Sequence, residues 1–167
     1  MQTLISRFMK CPMTSARWAR YVACLCVLIA SASAWGQSLP QGLTGGFRIG
    51  LSAGLTAKLY TDNGAEAFEA IISFREGALN ATALYAVHRS DFNIDGLRWY
   101  LGAGAEAVLF PQTSEFPLGL AIDGVLGLEY VLPDAPLVFS IDYKPAFFLI
   151  GNPGLQNGGG LSCRYIF

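Results

Sequence analysis

The segment Gly158–Phe167 reads GGGLSCRYIF. Leu161, Cys163, Tyr165 and Phe167 fall on one side of an extended chain, and Ser162, Arg164 and Ile166 on the other. A period of two is a strand period. The segment closes on an aromatic ring with no polar tail, which a soluble sheet has little use for. A strand of a closed membrane barrel does use one, because aromatic girdles sit where hydrocarbon meets headgroups.

The same alternation runs back through the chain. Phe47–Tyr60, Ala67–Arg75, Leu79–His88, Leu97–Leu109, Leu118–Tyr130 and Leu137–Phe148 each carry an apolar face opposed by a small, polar or charged one. Turn residues separate them: Thr61–Gly64, Glu76–Gly77, the polar stretch Arg89–Asp95, Pro111–Pro117, Pro133–Pro136 and Gly151–Gly158. With the terminal segment this makes seven strands. Bacterial single-chain barrels have an even number. Phe47–Tyr60 is therefore expected to be two strands that turn near Ser52-Ala53-Gly54, giving eight. That count places the Pro111–Pro117 and Gly151–Gly158 loops outside the cell and the Pro133–Pro136 turn in the periplasm.

Period alone leaves open which face is inside, because a soluble barrel alternates too, with the sign reversed. Composition decides. The chain is 53% hydrophobic and 14% charged, too few charges to solvate an exterior. The polar faces are rich in Gly and Ala, as a narrow interior requires. No run of 18 apolar residues follows residue 40, so a helical span is not expected there. The expected fold is all-β: an up-and-down antiparallel transmembrane β-barrel over residues 46–167, with a short lead-in at 37–45.

Residues 1–36 read as a helical signal peptide. Arg7, Lys10, Arg17 and Arg20 form a basic region, Tyr21–Ala30 an apolar one, and Ala32-Ser33-Ala34 a cleavage site before Trp35 or Gln37. Met9 and Met13 are alternative starts. Four of the eleven basic residues and none of the twelve acidic ones lie in this leader, so the exported chain has a net charge of −5. That argues against nucleic acid. Three of the four cysteines leave as well, and Cys163 alone can form no intrachain disulfide.

GLRWYLGAG at Gly96–Gly104, IDGVLGLEY at Ile122–Tyr130 and GLSCRYIF at Gly160–Phe167 resemble segments of the small outer-membrane β-barrel domain family, relatives of the eight-stranded outer-membrane barrels. The resemblance covers about residues 46–167. It implies a fold and a Gram-negative outer-membrane location, with outer-membrane lipids and the barrel-assembly machinery as partners. It attaches no catalytic residue. It also makes Leu161, Cys163, Tyr165 and Phe167 an assembly signal of the kind such barrels carry on their last strand.

The inward faces hold Arg48, Lys58, Arg75, Arg98, Lys144 and Arg164 with Glu69, Glu106, Asp123, Glu129 and Asp142. Near balance suggests a lumen plugged by its own charges, and eight strands leave an interior just wide enough to fill with side chains. A symmetric loop at 111–116 sets Arg98 opposite Glu129, and a turn through Val131–Pro136 sets Asp123 opposite Lys144. His88, the one histidine, has Ser73 and Ser90 as conceivable partners for acyl chemistry; a polar residue at a strand end is the plainer account. One His and one Cys make no metal site, and no cofactor is expected. The expected role is structural or surface-interactive and non-enzymatic, in a monomer. The alternatives are a small solute pore and, behind it, a lipid-modifying enzyme using His88.

Overall fold

The structure is a computed structural model that describes residues 40–110, 118–151 and 153–167. The leader at 1–36 and the loop Pro111–Pro117 lie outside the described residues. Ten hydrogen-bonded strands run in chain order: β1 Gly42–Gly50, β2 Ala53–Tyr60, β3 Glu66–Arg75, β4 Ala78–Arg89, β5 Leu97–Leu109, β6 Leu118–Val131, β7 Leu137–Tyr143, β8 Ala146–Ile150, β9 Gly154–Gln156 and β10 Gly159–Ile166.

All neighbouring pairs are antiparallel, and the β5–β6 pairing closes the sheet on itself. The ten strands make eight staves. Pro145 interrupts the seventh, because it has no N–H to give to the ladder. On one side of the break β7 pairs with β6 and β10; on the other β8 pairs with β6 and β9. Gly124 N–H donates to the Pro145 carbonyl at 2.9 Å and Lys144 N–H to Gly158 at 3.0 Å, which carries the wall across the gap. β9 and β10 are the two parts of the eighth stave.

The split of the Phe47–Tyr60 segment is present: β1 and β2 meet at a tight turn over Leu51–Ser52. The Glu76–Gly77 hairpin is present too, with both residues at positive φ (49° and 82°), the backbone a two-residue type I′ turn needs. Two expectations need correction. Gly42–Gly45 was expected in the lead-in but belongs to β1, where it pairs with β2 and, from Thr44, with β10. GLTGG reads as loop only until its neighbours are known. The Gly151–Gly158 loop contains β9, which pairs with β8 over Ala146–Phe148. Three residues are too few to show a period.

Inside and outside follow the alternation throughout. Phe47, Leu55, Phe68, Ile72, Phe74, Leu101, Ile122, Leu126, Ile141 and Phe147 are exposed on the outer face, Phe47 to 68%. Among the described residues the buried set holds seventeen polar or charged residues against thirteen apolar ones, so the usual polarity of a globular core is inverted. The barrel has two ends. One carries Phe167 and the turns after Tyr60, Arg89 and Val131. The other, the opposite mouth, carries the Leu51–Ser52 and Glu76–Gly77 turns and the β8–β9 hairpin.

Candidate functional site

Every charge expected in the lumen is there. Arg48, Lys58, Glu69, Arg98, Glu106, Asp123, Glu129, Asp142 and Arg164 are buried, Lys144 is part-buried, and Arg75 is half-buried at the opposite mouth. They fall into groups stacked along the barrel.

Toward the Phe167 end the hub is Glu129 on β6, 1% exposed. Arg98 of β5 bonds its Oε1. Its Oε2 accepts from Arg164 of β10 at 2.6 Å, from the Tyr60 hydroxyl at 2.7 Å and from Lys58 of β2 at 3.3 Å. Glu69 of β3 is the second acid: Thr56 donates to it at 2.6 Å, Arg164 at 3.1 Å, and Lys58 lies 3.2 Å away. A carboxylate out of water needs several charge-assisted donors to offset its lost hydration. These two are held by donors from β2, β5 and β10.

Arg48 of β1 grips Asp142 of β7 with both Nη atoms, at 2.6 and 2.5 Å, the fork geometry that suits guanidinium to carboxylate. The Tyr100 hydroxyl adds a bond to Asp142 at 3.0 Å. Nearer the opposite mouth, Lys144 bonds both Glu106 and, at 2.6 Å, Asp123, while Asn80 donates to Glu106 at 2.9 Å. Two apolar clusters share the lumen with them. One is Ile71, Leu84, Ala86, Tyr100 and Val125; the other is Ala78, Val108, Ala121, Ala146 and Phe148, with Phe110 against it.

Arg98 and Glu129 are direct cross-strand partners, as the symmetric loop implied. Asp123 and Lys144 share the lumen face and touch, but two residues out of the expected step: Asp123 lies opposite Ala146. The hairpin closes on a Leu132–Leu137 bond, one residue later than assumed. The contact survives because diagonal neighbours remain within reach of a long side chain.

His88 is buried and stacks on Tyr100, centroids 5.2 Å apart. Its Nε2 is 3.8 Å from Glu129, and neither ring nitrogen has a hydrogen-bond partner among the described residues. Ser73 and Ser90 are thus not joined to it. Leu161, Cys163, Tyr165 and Phe167 line the outer side of β10, where the Tyr165 and Phe167 rings pack edge to face at 5.3 Å. Sequence reasoning missed the neutral partners: Tyr60, Thr56, Tyr100 and Asn80. Their inward positions in the alternation were the available signal, since a buried phenol needs a partner for its hydroxyl.

No protein-family model, curated protein or solved structure matches this chain.

Proposed function

We propose that this chain is an outer-membrane β-barrel with a structural or surface-interacting role and a lumen closed by its own side chains. The observation that carries this is the inverted polarity: large apolar side chains cover the outer wall while paired charges fill the interior. In water such a wall is a large aggregation-prone patch; in hydrocarbon it is the required surface. Strand lengths agree, since β3 has 10 residues and β4 has 12, against roughly 9–11 needed to cross a bilayer on a tilt. Phe68, Tyr85, Trp99, Tyr130, Phe139, Tyr165 and Phe167 gather outward toward the Phe167 end, and the Trp99 indole N–H donates to Asp91 at 2.8 Å. An aromatic belt with its polar atoms toward water is what a membrane interface selects. The leader sequence supports export.

The closed-lumen part rests on the stacked ion pairs and apolar clusters that occupy the lumen. The test is fractionation with an unboiled gel, followed by planar-bilayer recording. The expected result is an outer-membrane band whose mobility shifts on boiling, and no steady ion current. A soluble, non-shifting protein overturns the membrane reading. A stable current overturns only the closed lumen and favours a pore.

A further inference from the structure

At the opposite mouth, the Leu51–Ser52 turn, the ends of β3 and β4, and the β8–β10 segment surround a polar cleft open to solvent. The free space within it is small, about 20 Å³, so an anion larger than a water would sit at its open side. Three cations and one acid, Glu106, line it. Arg48 is committed to Asp142, and Lys144 to Glu106 and Asp123. Arg75 differs. It is the one lumen-facing basic residue with no carboxylate partner among the described residues. Its recorded bond is a single long one, 3.3 Å from Nη1 to the Asn157 carbonyl across the mouth. That bond leaves the Nε–H and Nη2 donors, which lie side by side on the guanidinium, without a partner among the described residues. Two parallel N–H groups match two oxygens of a carboxylate or phosphate.

We infer that this cleft is an anion site, with Arg75 as its clamp. The fork sets the class of ligand: it takes two oxygens of one oxyanion group and leaves the rest of the carrier in solvent. A phosphate monoester or free phosphate fits that description. Lys144 and Arg48 are held by their own acids, so Arg75 is the one charged lining residue without an opposite charge among the described residues. The oxyanion has two sources, a lipid headgroup at the membrane surface or a solute, and only the first rests on the membrane reading above.

The test uses the full barrel in detergent micelles. Two probes are titrated, inorganic phosphate by calorimetry and a lipid with a terminal phosphomonoester (phosphatidic acid) by native mass spectrometry. Each is run on the wild type, Arg75→Gln, Arg75→Lys and, as a control at the other end, Arg89→Gln. Heat-modifiable mobility confirms that every variant is folded. The expected result is a loss of about tenfold or more in affinity for Arg75→Gln, equivalent to about 1.4 kcal/mol. A smaller loss is expected for Arg75→Lys, which keeps the charge without the fork, and no change for Arg89→Gln. Binding of both probes points to a solute or shared site, and binding of the lipid alone to a headgroup site. No binding of either probe, or equal binding by wild type and Arg75→Gln, overturns the proposal, and neither outcome bears on whether the barrel spans a membrane.

Discussion

The two ends of the lumen hold charge differently. Toward the Phe167 end, Glu129 has four donors from four residues on β2, β5 and β10, and its carboxylate is fully enclosed. Toward the opposite mouth, Asp123 has one donor, Lys144, and its other oxygen is buried with none. Both acids are about 1% exposed. Equal burial with unequal partnering means that Glu129 ties several staves together, whereas Asp123 makes one local contact, with Lys144 across a hairpin. Buried charge adds to cohesion in proportion to the donors around it, because each missing donor leaves part of the desolvation cost uncompensated.

The sharpest way to break this comparison is Glu129→Ala. It leaves Arg98 with no carboxylate and Lys58 and Arg164 with Glu69 alone, and removing one partner of a buried charge network costs about 3–5 kcal/mol. Urea unfolding in lipid or detergent, read by the heat-modifiable gel, should show that loss. Next in size is Ile122→Arg. Ile122 is 56% exposed on the outer wall at mid-strand, and a basic residue on the lipid face near the midplane costs about 2–4 kcal/mol. A neutral outcome in vesicles would mean that the outer wall does not face hydrocarbon.

Asp123→Ala should cost less than either, below about 2 kcal/mol, because Lys144 keeps Glu106 and one underpartnered carboxylate is removed. If Asp123→Ala proves more damaging than Glu129→Ala in the same assay, the contrast between the two ends is wrong. The smallest effect on the folded barrel is expected from deleting Phe167. Its ring is 78% exposed and its backbone N–H makes one bond, to the Leu43 carbonyl at 3.1 Å. Refolded stability should barely move, while yield in the outer membrane falls. Unchanged yield would remove Phe167 from the assembly signal.

The faces of the staves were legible because the period of two is a local property of extended chain. Phe47 and Arg48, or Phe68 and Glu69, cannot share a side of a strand. The eleven lumen charges followed from that rule once composition had set which face is inside. So did the Leu51–Ser52 turn, once an even strand count was required. Arg98 opposite Glu129 was also within reach, since it depends only on a symmetric loop between two long strands. The interruption at Lys144-Pro145 was visible as a proline, but its consequence, a seventh stave whose two parts pair with different parts of the eighth, was not.

What the sequence by itself determined, then, is which side chains meet inside and which meet outside. Tertiary structure alone decided who pairs with whom across the lumen. Lys58 reaches Glu129, 71 residues away, and Arg164 reaches Glu69, 95 residues away. These partners lie on staves that are not hydrogen-bonded to one another, so no hairpin arithmetic brings them together. Their meeting depends on how far each strand is staggered when the sheet closes, and in a barrel that stagger is fixed jointly by strand number and tilt. Tyr60 and the Arg75 cleft belong to the same class. Alternation turns each side chain inward, but only closure sets the depth at which it sits and the group it finds there.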